Sequence, residues 1–287
     1  HNLVDHVIFS PRANIRFNPS EAVNLRVSYA GGYRAPQAFD EDMHIAVVGG
    51  KRVRIRLADD LKEERSHSVS LSADLYHNFG RVQTNLLVEG FYTILDDVFA
   101  LRDLEDTDDG GKIKERYNGS GAAVRGFNVE GRAIFTRWFE LQAGVTLQQS
   151  RYKEPEQWSE DADVPPVRRM FRTPDAYGYF TASFKPVRNF TADLTGTCTG
   201  SMLVQHMAGS GVAQDAAVST PSFFDMNVRL SYDLRIYKEI TLQLYGGVQN
   251  LFNAYQKDFD KGADRDSGYI YGPSLPRSWF VGAKFSF

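Results

Sequence analysis

From Phe224 to Ile236 the chain alternates without a break. Phe224, Met226, Val228, Leu230, Tyr232, Leu234 and Ile236 fall on one parity, and Asp225, Asn227, Arg229, Ser231, Asp233 and Arg235 on the other. Successive side chains of an extended strand point to opposite faces, so this stretch reads as a strand with one oil-like and one charged face. Phe190, Ala192, Leu194, Gly196 and Cys198 oppose Thr191, Asp193, Thr195 and Thr197 in the same way. Leu141, Ala143, Val145 and Leu147 do so against Gln142, Thr146 and Gln148, and Trp279, Val281, Ala283, Phe285 and Phe287 share one side at the end of the chain. Helix is excluded across these stretches, and the whole chain parses into about eleven strands, the first near Val7 to Phe17. The period alone does not say whether the apolar face packs into a core or faces lipid.

The connections separate those two readings. Short turns fall near residues 18–21, 79–81, 137–140, 185–189 and 235–239, and long connections near 34–62, 102–119, 152–173, 203–220 and 254–274. Short and long alternate strictly. A soluble sandwich imposes no such rule, whereas a transmembrane barrel keeps tight turns on its periplasmic side and extended loops outside. Nowhere do roughly 18 apolar residues run together as a spanning helix requires. An apolar content of 42% and a negative mean hydropathy are compatible with a barrel, because its two faces average out. An odd number of strands cannot close with every neighbour antiparallel, so further strands are expected beyond this sequence.

Charge and cysteine narrow the classes. A net charge of −3 is too small to argue for nucleic acid or an acidic surface as a partner, and none is expected. The single cysteine, Cys198, allows no internal disulfide framework and no thiolate cluster for a metal.

The segment "FSPRANIRFNPSEAVNLRVSYAGGYRAPQAFDE" from Phe9 resembles the middle of a TonB-dependent receptor barrel, with Tyr33, Arg34, Ala35 and Pro36 standing where the family has a "GFRAP"-type box. "LKEERSHSVSLSADL" resembles the following strand, "GFNVEGRAIF" a Gly-rich barrel strand, "GGVQNLFNAYQ" the penultimate strand with its Asn-Leu-Phe stop, and "PRSWFVGAKFSF", ending on Phe287, the last strand. The resemblance implies an all-β, antiparallel transmembrane barrel of roughly 22 strands around a plug domain. Residues 1–287 would then be the C-terminal part, with the plug, the TonB box and the first half of the barrel outside this sequence. It further implies a receptor in the outer membrane of a Gram-negative bacterium, taking up a ferric siderophore, haem, cobalamin or a similar scarce nutrient when TonB acts through the plug. A passive porin or an adhesive barrel is the alternative. No catalytic constellation is recognisable: the six histidines match no Ser or Asp partner pattern, and no nucleophile elbow or metal-ligand pair is present.

In such receptors the cargo is held by the outer loops and upper lumen. The resemblance places His44 in the region where some haem receptors carry a ligating histidine, although the second box of that pattern is reduced to "ADDL" at residues 58–61; an ordinary loop histidine is the other reading. Tyr152, Trp158, Phe171, Tyr255, Phe259, Tyr269 and Tyr271 are aromatic loop residues able to stack on a planar or sugar-like ligand, or to form an interfacial girdle. Asp103, Glu105, Asp106, Asp108 and Asp109 before Gly110 and Gly111 supply oxygens for a structural calcium ion without EF-hand spacing, or simply a solvated acidic tip. Asp258, Asp260, Asp264 and Asp266 form a sparser acidic group with the same two readings. No other cofactor is expected. Arg26, Asp74, Glu89, Glu130, Arg132, Asp193 and Arg229 fall on the polar faces, where they would satisfy one another and a plug.

Overall fold

The computed structural model describes residues 6–36, 53–106, 112–159, 161–209, 211–237, 240–262, 265–273 and 275–287. The alternating segments form one curving wall of eleven strands: β1 (Arg12–Ser20), β2 (Val23–Arg34), β4 (Glu64–Phe79), β5 (Val82–Asp96), β8 (Ala122–Thr136), β9 (Phe139–Glu156), β11 (Ala176–Phe184), β12 (Phe190–Thr199), β15 (Phe223–Tyr237), β16 (Ile240–Gln249) and β17 (Ser278–Ser286). Each pairs antiparallel with its neighbour in that order. Six shorter strands lie in the connections: β3 (Val53–Leu57), β6 (Phe99–Asp106), β7 (Lys112–Asn118), β10 (Val167–Arg169), β13 (Leu203–His206) and β14 (Ala216–Ser219). No helix occurs among the described residues.

The turn pattern read from the sequence holds. Five wall connections are tight, such as the two-residue link between β4 and β5, where Gly80 adopts a φ of 63° open to a residue without Cβ. Five are long, and all the extra strands belong to them. The tight turns therefore lie at one end of the wall and the long loops at the other. The first strand starts later than the alternation suggests. Val7 and Phe9 are exposed chain ahead of it, and β1 begins just after Pro11, which has no N–H to give to a ladder. Pro11 instead accepts from Gly31 N through its carbonyl at 2.8 Å.

Exposure resolves what the period leaves open. Leu71, Phe127, Leu147, Leu230, Leu244 and Val281 are all exposed, so among the described residues nothing packs against the apolar face, which is no sandwich core. Such a face is stable against hydrocarbon, where its large side chains meet acyl chains rather than water. Near the tight turns Phe135, Phe139 and Phe184 stack in succession, 5.1 and 4.5 Å apart, beside Trp138, as an aromatic belt would.

The opposite face is polar and cross-linked. Gln142 donates to Glu130 at 2.9 Å, Thr146 to Asn128 at 2.9 Å, Ser183 to Asp193 at 2.7 Å and Gln243 to Asp233 at 2.8 Å, while Arg132 pairs with Glu140 at 2.6 Å. These rungs join neighbouring strands across the polar face. The wall is open: β1 and β17 each have one partner among the described strands, and, being an even number of antiparallel steps apart, they run in the same direction.

Candidate ligand-binding site

The long loops gather into a roof at one end of the wall, and two assemblies within it position the residues of interest. The first is the three-stranded sheet β3-β7-β6, in which β3 runs parallel to β7. Its base is tied to the wall by Asn118, whose amide donates to Lys62 O at 3.0 Å and Asp97 O at 2.7 Å and accepts from Lys62 N at 2.7 Å. Arg34 closes the corner. Its guanidinium pairs with Glu64 and lies 4.8 Å over the ring of Phe99, whose backbone N–H donates to Glu64 at 3.0 Å. Those contacts fix Phe99 at the base of the sheet.

Beside Phe99 opens a cavity of about 380 Å³, lined chiefly by Phe99, Arg116, Tyr152, Glu156, Trp158 and Phe171. Tyr152 and Glu156 share the parity of Gln142 and Thr146, so the end of β9 near the long loops presents them on the polar face. Trp158 and Phe171 meet edge to face at 5.3 Å, and Arg116 lies buried with its guanidinium 5.8 Å from the Phe99 ring centre. The Trp158 indole N–H has no acceptor among the described residues. Aromatic faces, a buried cation, a carboxylate and a spare donor thus surround one space, which suits a ring-bearing polar ligand.

The second assembly joins residues 200–222 to 250–277. His206, on β13, holds both oxygens of Asp260 at 3.0 Å and stacks on Tyr269 with ring centres 3.7 Å apart, all three being buried. Asp258 accepts from Tyr271 at 2.5 Å and Tyr269 at 3.1 Å, and Asp266 accepts the backbone N–H groups of Met207 and Gly268 at 2.8 Å each. Burial raises the Asp258 pKa, but hydrogen bonds from Tyr271, its own backbone, Tyr269 and Gln256 outweigh it and leave the carboxyl below its ordinary value. For Tyr271, burial first and the Asp258 bond second push the phenol far above its usual range, so it remains a donor. Arg172, at a φ of 56°, reaches across to Ile270 O at 2.7 Å and to Gly268 O, linking residues 157–175 to the same cluster.

These assemblies sort the residues picked out from the sequence. Tyr152, Trp158 and Phe171 come together at the cavity. Tyr269 and Tyr271 serve the roof's own packing, and Tyr255 lies against Lys257, whose ammonium is 5.8 Å from its ring centre. Asp258, Asp260 and Asp266 are each occupied by protein donors, while Asp264 lies outside the described residues. Asp103 and Asp106 sit on β6 opposite Lys114 and Lys112; Asp108 and Asp109 lie outside the described residues, as does His44. Among the described residues no group of three or more His, Cys, Asp or Glu side chains is arranged to hold a metal ion. The box at Tyr33, Arg34, Ala35 and Pro36 ends β2, with Tyr33 exposed on the apolar side and Pro36 buried where the chain leaves the wall. Phe287 follows β17, fully exposed on its apolar side. Phe99, Arg116, Glu156 and His206 were not singled out by sequence; the alternation of Phe99 and Leu101 was the available signal for β6.

The family model described as TonB dependent receptor-like, beta-barrel matches residues 4–251. No curated protein matches. Among solved structures, the ferric-catecholate import receptor Fiu of Escherichia coli K12 is 18% identical with a TM-score of 0.60, over 95% of this chain and 34% of its own. The FrpB iron transporter of Neisseria meningitidis is 16% identical with a TM-score of 0.62, over 96% and 38%. For the siderophore receptor PirA of Acinetobacter baumannii the values are 17% and 0.61, over 97% and 41%. The chain thus shares their barrel fold and spans little more than a third of their length.

Proposed function

Because the chain belongs to the TonB-dependent receptor β-barrel family, we propose that it is the C-terminal part of the barrel of an outer-membrane receptor that takes up a scarce nutrient under TonB control. The family is one of receptors and transporters rather than enzymes. In this reading the apolar face meets the lipid of a Gram-negative outer membrane, the tight turns face the periplasm, and the polar concave face surrounds a plug carried with the rest of the barrel on the remainder of the protein. The cargo enters from the roof side.

The observation that carries the proposal is the cavity walled by Phe99, Arg116, Tyr152, Glu156, Trp158 and Phe171, on the lumen side and under the loops. A cation over an aromatic floor suits a ring-bearing, partly anionic solute. The solved structures named as a ferric-catecholate import receptor and a siderophore receptor favour an iron chelate ahead of haem or cobalamin.

The test is to titrate the full-length receptor, extracted from outer membranes, with ferric catecholate, haem and cobalamin, following binding by calorimetry. Saturable binding of one of them, weakened in Trp158→Ala and Arg116→Gln, supports the proposal. A folded barrel that binds none and conducts ions in a bilayer overturns it in favour of a passive porin.

A further inference from the structure

The outward face of the wall is not uniformly apolar. Register carries four rows across β4, β5, β8 and β9 on that face. Leu71, Gly90, Phe127 and Leu147 form one, Val69, Tyr92, Arg125 and Gln149 the next toward the roof, and His67, Ile94, Ala123 and Arg151 the next. Above them stand Arg65 beside Asp96, and Lys153, which is paired with Asp96. Because Gly90 brings no side chain to its row, a hollow of about 650 Å³ opens there, walled by Val69, Leu71, Tyr92, Phe127 and Leu147 and ending at Arg125.

The cations at its upper end differ from one another. Arg65 is held by Glu63 at 2.6 Å and Lys153 by Asp96. Arg125 and Arg151 form no ion pair among the described residues, and the one side-chain hydrogen bond of this pair there is Arg125 donating to Gln149 at 2.8 Å. The two are diagonal neighbours on adjacent strands, a relation that ordinarily spans about 7–8 Å, within reach of long side chains. Two exposed guanidiniums on the lipid side, without a carboxylate between them, repel each other until an anion sits across them.

We propose that this face binds a phosphorylated, multiply acylated lipid of the outer leaflet, with phosphate bridging Arg125 and Arg151 and an acyl chain lying in the hollow at Gly90. The proposal rests on the outer-membrane reading above, since that reading puts the roof end of the wall in the outer leaflet. Charge complementarity selects an anionic headgroup, and the apolar hollow directly below it selects a lipid over a soluble phosphate. Tyr29 and Tyr92, in the same row as Arg125, sit where aromatic side chains anchor at a headgroup boundary.

The experiment uses the complete receptor in phosphatidylcholine nanodiscs containing lipid A or phosphatidylglycerol, with native mass spectrometry reading the lipid kept after dilution. The wild type is expected to keep lipid A in preference to phosphatidylglycerol, and the double variant Arg125→Gln with Arg151→Gln to lose about tenfold in retention. Gly90→Leu tests the hollow independently: a Cβ there meets Phe127 at 3.4 Å, an ordinary contact, so the strand tolerates it while the acyl site is filled. It should lower retention with both arginines intact. Equal retention by all variants, no preference for lipid A, or displacement by inorganic phosphate alone overturns the inference. Fractionation of the receptor away from the outer membrane overturns the proposed function instead, and variants that keep heat-modifiable mobility on gels show that lost lipid is not lost fold.

Discussion

Of the side chains buried among the described residues, Ala182 and Ser231 lie within the wall, whereas Val164, Val204, His206, Gln256 and Tyr269 lie in the loops and Ala122, Ser150 and Phe223 where strand ends meet them. The wall has almost no core of its own. Its backbone is satisfied by ladders and, on the proposed function, its apolar face by lipid hydrocarbon, so that its stability would be borrowed from the membrane. The roof is built the other way, as a small aqueous-style core of stacked rings and hydrogen-bonded charges. Damage to either should therefore leave the other largely intact, and that independence can be measured.

The largest effect is expected in the wall. Leu230, exposed midway along β15, becomes a charge in hydrocarbon in Leu230→Lys, at a cost of about 2–4 kcal/mol. Folding into lipid vesicles, read by the heat-modifiable gel shift, should fall accordingly; an unchanged shift would place that face in water. Next comes His206→Ala, which removes both bonds to the buried Asp260 and about 1–3 kcal/mol of local roof stability. Hydrogen exchange should quicken in residues 200–222 and 250–277 and stay slow in the wall. If the wall strands quicken too, the two regions form one cooperative unit. Trp158→Ala should leave both regions folded and weaken cargo binding by about 1 kcal/mol, roughly fivefold.

The smallest effect is one of pH. The folded Asp258 carboxyl titrates below its ordinary value of 3.8, so its contribution is complete above that value and is lost as pH falls through the lowered one. Tyrosine fluorescence of the roof should be flat from neutrality down to the ordinary carboxylate range and change only below it. A change near neutral pH would mean that another group governs the cluster.

The same contrast explains what could be read from the chain. A wall strand announces itself through residues two apart, and a tight turn through its brevity, so both are local and the eleven strands were legible. The roof is held by His206 to Asp260 and Arg172 to Gly268, residues 54 and 96 positions apart, and no spacing rule links them. Aromatic identity was equally blind: Trp158 and Tyr269 are both loop aromatics, yet one lines the cavity and the other lies sealed against His206. Arg116 carried no signal because a basic residue on a short alternating strand is ordinary, and only burial beside Phe99 distinguishes it.

That β1 and β17 each have one partner among the described strands has a consequence for crowding. On the proposed function, copies of this wall in one membrane share an orientation, and β1 and β17 run the same way. Any edge of one copy laid beside any edge of another would then meet it in parallel, never with the antiparallel register used throughout the wall. Identical neighbours are thus poor templates for each other, and the geometry reserves both edges for strands that run in the opposite direction, a form of self-avoidance that needs no charged gatekeeper side chain.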